Sequence, residues 1–160
     1  MMAAAVALGQ GSPPPQPAPA NSISLSYTLT ILAIPFGHID YAARFEGGRY
    51  RAQTHFRTGG LAAVLWQARI DAAAEGRAAP NALVPESYTA QSVSRSGALR
   101  SVRVTYSGKA PPLAVVDPAD ELSDYPVSNA QKEGTVDPLT AITATIVGLN
   151  TSAREPCQAG

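Results

Sequence analysis

The chain has 160 residues, of which 45% are apolar, enough for one domain with a real core. Twelve basic residues cancel twelve acidic ones and charged residues reach only 15%, so no basic surplus serves a nucleic acid or an anionic membrane, and no acidic excess serves a basic partner. A single cysteine, one Trp and three Phe leave no internal disulfide, no thiolate metal site and no stacking platform for single strands.

Residues 1–8 form a small apolar patch without a charged start, followed by small residues that fit cleavage after Gly9 or Ala20. Residues 11–20 hold five prolines, an extended composition. Residues 1–21 therefore read as a clipped signal peptide or as a disordered Ala/Pro-rich leader. Nowhere do 18 apolar residues run together, so no transmembrane segment is expected.

Residues 22–160 read as a single antiparallel β domain. In the "SISLSYTLTI" stretch, Ile23, Leu25, Tyr27, Leu29 and Ile31 alternate with serine and threonine, the period of a half-buried strand. Pro35 is expected to stop it. In "HIDYAARFEGGRYRAQTHFRT", Ile39, Tyr41, Ala43 and Phe45 face Tyr50, Ala52, Thr54 and Phe56 across a Gly47-Gly48 turn. The opposite face carries His38, Asp40, Arg44, Arg51, Gln53, His55 and Arg57 and should be wet. Residues 61–67 read as a helical turn or bulged strand. Ile70, Ala72 and Ala74 return to alternation, and a second hairpin turns at Ser96-Gly97. "KAPPLAVVDP" is too proline-rich for a central strand and suits an edge or a crossing loop. "DELSDYPVSNAQKEG" is polar loop.

The segment 134–150 breaks the alternation. Asp137 is a good N-cap and Pro138 suits the first helical position. Leu139, Ile142, Ile146 and Leu149 fall on one stripe, with Gly148 and Asn150 as stop signals. Burying those four side chains would be worth on the order of 6–10 kcal/mol before entropy. The expected fold is thus mainly β: a curved antiparallel meander, half-barrel-like, with one packed helix near 138–149.

The order "SYTLTI", the Gly37 of "IPFGHID", "GGRYRAQTHFRTGGL", "VPESYTA", "VRVTYSG" and "GTVDPLTAI" resembles the bacterial domain of unknown function 3108 (DUF3108) family over about residues 22–157. The "DPLT" helix start after a glycine is its most specific motif. The resemblance implies an exported, periplasmic, Gram-negative protein with no assigned activity. It also implies a further strand pair beyond Cys157, so that the chain looks truncated at the C-terminus and lacks a final hairpin. The shape is similar, too, to the half-barrel of periplasmic lipoprotein carriers.

Asp40 should stand opposite His55 across the Gly-Gly turn, with His38 on the same face. That trio can be read as a proton relay or metal site, but a solvated cross-strand charge pair suffices. Neither G-x-S-x-G nor a phosphate-binding glycine loop occurs. The Asn150-Thr151-Ser152 sequon is discounted in a bacterial chain, and Trp66 reads as core. No catalytic residue, metal or cofactor is expected. The reading is a non-catalytic envelope protein that binds a lipid or apolar small molecule, with Tyr27, Leu29, Tyr41, Phe45, Phe56, Leu139, Ile142 and Ile146 as lining. The alternatives are an assembly partner docking an envelope protein by sheet-edge augmentation, and an enzyme with an unrecognised site.

Overall fold

A computed structural model describes residues 21–60, 63, 67–93, 96–108, 110–119 and 127–149. The leader at 1–20, Trp66, the Asn150 sequon and Cys157 with the segment around it lie outside the described residues, as does most of the 61–67 stretch.

Seven strands form one open antiparallel sheet in simple chain order: β1 Asn21–Ile31, β2 Ile34–Glu46, β3 Arg49–Thr58, β4 Arg69–Ala79, β5 Ala82–Val93, β6 Leu99–Thr105 and β7 Leu113–Asp117. Two short helices follow, α1 Asn129–Lys132 and α2 Pro138–Ile146. The fold is therefore mainly β with a packed helix, as the alternation predicts. β1 and β7 are the two edges, and the proline-flanked β7 sits at one of them.

Local signals explain most of the boundaries. Gly47 and Gly48 both take positive φ, as a two-residue primed turn requires. The first turn is a surprise. It falls at Leu32 and Ala33, both left-handed at φ 49° and 66°, where glycine or asparagine is usual. Pro35 does not stop β1; it lies inside β2, opposite Thr30, next to a register shift that tolerates its missing N–H. A second shift at Glu75/Gly76 brings the β4 and β5 backbones together, and a Cβ at Gly76 would lie 2.1 Å from the Val84 carbonyl oxygen. Within the polar loop, Ser128 caps the single turn of α1 in a reciprocal capping box with Gln131.

α2 begins as the sequence predicts. Asp137 caps it by accepting the Thr140 N–H, Pro138 opens it, and it ends at Gly148 (φ 73°), where the Leu149 N–H donates to the Ala144 carbonyl at 2.8 Å. The helix packs on β3, β4 and β5. Its covered face keeps only the ends of the expected stripe, with Leu139 buried and Leu149 packed against the core. Leu139, Thr140, Thr143 and Ala144 are buried, whereas Ile142 is 51% and Ile146 38% exposed. The reason lies in the floor beneath. Ala43, Ala52 and Ala74 stand in one cross-strand row, all but fully buried, and let the helix approach closely. On either side of that row Tyr50 and Tyr41 reach up to the two threonines. Threonine counts as polar in a hydropathy pattern, but here its methyl packs and its hydroxyl is paired.

Candidate functional site

The hydrogen bonds under α2 fix its position. Thr140 Oγ1 donates to Asp137 Oδ2 at 2.6 Å, so it must accept from the Tyr50 hydroxyl, also at 2.6 Å. Thr143 Oγ1 donates to the Leu139 carbonyl at 2.6 Å and accepts from Tyr41 at 2.9 Å. Burial, reinforced by the Asp137 carboxylate, pushes the Tyr50 and Tyr106 hydroxyls up to about 12. These tyrosines hold protons and anchor the helix. Tyr50 and Tyr41 belong to the buried core, Tyr106 is half-buried, and Tyr41 also borders the trough on the opposite face.

Two concavities flank this core. The first lies between the sheet and the C-terminal end of α2. It holds about 380 Å³ and is walled by Ile23, Phe45, Ala78, Leu83, Val147 and Leu149, with Asn21 and Ser22 at its rim. Its chemistry is almost wholly apolar, and its size falls within the range of small-molecule sites. β1 and β2 supply Ile23 and Phe45, the ends of β4 and β5 beside their shared turn supply Ala78 and Leu83, and the residues after α2 supply Val147 and Leu149.

The second is a solvent-open trough of about 670 Å³ on the helix-free face, among Asp40, Gln53, His55, Asp71, Thr89 and Arg103. Asp40 does stand opposite His55, yet the two are not partners. The His55 Nδ1 pairs with Asp71 Oδ1, Asp71 Oδ2 accepts from Arg69 Nε at 2.8 Å, and Asp40 accepts from Ser26 Oγ at 2.6 Å. His38 lies beside Thr28 instead. Arg69 first, then His55, holds the Asp71 carboxyl below its usual range. Among the described residues no group of three His, Cys, Asp or Glu side chains can hold a metal ion. His55, Asp71 and Arg69 satisfy one another at this wet surface, whereas Arg103, also in the trough, forms no ion pair with the described residues.

The eight sequence-selected lining residues divide into three groups. Phe45 lines the apolar pocket. Tyr41 and Leu139 are core beneath the helix. Tyr27, Leu29, Phe56, Ile142 and Ile146 lie on the other side of α2. At about 100° per residue, Thr140 turns toward Tyr50 and Thr143 toward Tyr41, and Ile146 and Ile142 continue that rotation past Tyr41. They therefore overlook the row Tyr27–Ile39–Phe56–Ile70, of which Tyr27 is 52% exposed. The pocket residues Ala78, Leu83 and Val147 went unpredicted. Ala78 and Leu83 sit by a Pro80-Asn81 turn that the alternation did not mark, and Val147 follows the last helical residue. Compared with protein-family models, with curated proteins and with solved structures, the chain matches none, so the likeness to DUF3108 rests on the quoted segments alone.

Proposed function

We propose that this protein is a non-catalytic, exported module of the bacterial cell envelope that holds an apolar or acyl group between its sheet and α2. The observation that carries the reading is the apolar pocket beside Phe45, Leu83 and Leu149. Apolar side chains lining this open concavity face water, and an acyl chain laid against them would remove that surface from water without having to satisfy any polar group. The reading of residues 1–21 as a clipped signal peptide, in preference to a disordered leader, and the resemblance to periplasmic families support the location. In the helix-free trough His55 and Asp71 are already paired with each other, and Asp71 also with Arg69. The test is titration with a fluorescent fatty acid, alongside native mass spectrometry of periplasmic material. Ala79→Trp, at an exposed wall position, should fill the pocket and weaken uptake at least about tenfold with folding intact. No uptake by the wild type, or undiminished uptake by Ala79→Trp, overturns the reading.

A second reading, docking by sheet-edge augmentation, is favoured by β1. It is an eleven-residue edge strand without a single charge, and charges are the usual protection of such edges. Lysine at Ser24 and Thr28 would suppress strand addition, and partner binding unaffected by that pair would remove this alternative.

A further inference from the structure

We propose that the β1–β2 hairpin tip is a membrane-docking tip that inserts its aliphatic side chains into an anionic lipid surface. At the tip Ile31 is 60%, Leu32 93% and Ile34 54% exposed, with Ala33 and Pro35 also exposed and no charge among residues 31–35. Single exposed aliphatics are ordinary, but three on one turn form an interaction patch. The backbone sharpens the point. Leu32 and Ala33 occupy left-handed φ, where Asn-Gly would be unstrained and water-compatible. A leucine there costs strain and exposure and returns nothing to the folded core.

The surroundings identify the occupant. In the cross-strand row next to the tip, His38 is opposed to Arg57, and Arg57 to Arg69. Like charges directly opposed disfavour the sheet. Arg69 is drawn to Asp71, and among the described residues Arg57 has no acidic partner. Asp40 and Asp71 lie two residues further from the tip on the same face, where Asp40 accepts from Ser26 and Asp71 takes Arg69 and His55, so Arg57 is the cation this row leaves unpaired. Thr28 pairs with His38, so Ile31 stands three residues, about 10 Å, and Leu32 four residues, about 13 Å, beyond the basic row. That is the depth separating phosphate headgroups from the upper acyl chains. A hydrophobic prow with cations one step behind it fits a bilayer carrying anionic phospholipids. From the tip, exposed Tyr27 and Ile70 continue the apolar surface toward Ile142 and Ile146 on α2.

The proposal does not depend on the pocket being a ligand site, and the experiment separates the two. The full chain is co-sedimented with vesicles of equal parts phosphatidylglycerol and phosphatidylethanolamine, and with neutral phosphatidylcholine vesicles. Wild type should bind the anionic vesicles at low salt and release partly as salt rises. Leu32→Asp, which the left-handed backbone accepts, should weaken binding at least about tenfold. Arg57→Gln should weaken it severalfold on anionic vesicles only. Both variants should keep wild-type fatty-acid uptake. In a Trp66→Phe background, Leu32→Trp should shift its emission to the blue on adding vesicles. Wild type left in the supernatant, Leu32→Asp bound like wild type, or an unmoved Leu32→Trp spectrum overturns the proposal. So does a concentration-dependent dimer lost in Leu32→Asp without vesicle binding, which would assign the tip to a second copy.

Discussion

Replacing Thr140 by valine tests how the helix is held on the sheet. The two residues share shape, β-branching and nearly equal helix propensity, so the change removes little except the hydroxyl. That hydroxyl sits at 0% exposure between the Tyr50 hydroxyl and the Asp137 carboxylate. Valine leaves the Tyr50 donor orphaned in a site where Tyr50 is only 2% exposed, and strips one of the two helix-cap contacts from a carboxylate that is 3% exposed. Each stranded group costs about 1–3 kcal/mol, with the charged one toward the upper end. The sum is about 3–5 kcal/mol, a large share of a typical domain's stability. Tyr50→Phe removes the donor and strands nothing charged, and should cost only about 1 kcal/mol. The double variant should cost clearly less than the sum of the singles, because the orphaned tyrosine donor is then gone. Urea unfolding reads all three. With a slope of about 1–3 kcal/mol per molar, Thr140→Val should move the midpoint by more than 1 M. A Tyr50→Phe loss equal to or above that of Thr140→Val, or a Thr140→Val loss below about 1 kcal/mol, would refute the donor order and the anchoring role given to the chain.

The same tyrosines predict an alkaline transition. Tyr50 and Tyr106 are raised to about 12 from the ordinary 10, so the unfolded chain binds fewer protons than the folded one in that interval. Their contribution is complete below pH 10 and is lost between about 10 and 12, which unfolding followed with tyrosinate absorbance will show as late, cooperative ionisation. A non-cooperative titration with all tyrosines ionising near 10 would contradict it. For the helix face, Leu139→Ala should cost about 2–5 kcal/mol and Ile142→Lys no more than about 0.5 kcal/mol. Equal losses in thermal unfolding would restore the sequence-predicted stripe.

The fold class was written in the alternation of β1 to β6, because a period of two survives in any sheet that has one dry face. The Gly47-Gly48 turn and the Asp137-Pro138 helix start were equally legible, since each is a local backbone requirement with its own residue signature. Asp40 facing His55 followed from counting out from that turn. What the count could not supply was the next strand. Asp71 arrives from β4 and takes the histidine, so a suspected relay becomes a surface ion pair. The Leu32-Ala33 turn escaped notice for the opposite reason: its residues carry none of the usual turn chemistry, and the conformation runs against their own preference.

Sequence alone determined that this chain makes an antiparallel sheet, where its helix begins and ends, and that the helix needs a surface. Only the tertiary structure decided which helix face meets that surface, because the choice was made by partners distant in the chain. Three alanines aligned from β2, β3 and β4 admit the helix closely, and two tyrosine hydroxyls reward threonine over isoleucine at the contact. Hydrophobicity is a property of a residue and can be read along a line. Complementarity of shape and hydrogen bonding belongs to pairs of residues, and it exists only once the strands are side by side.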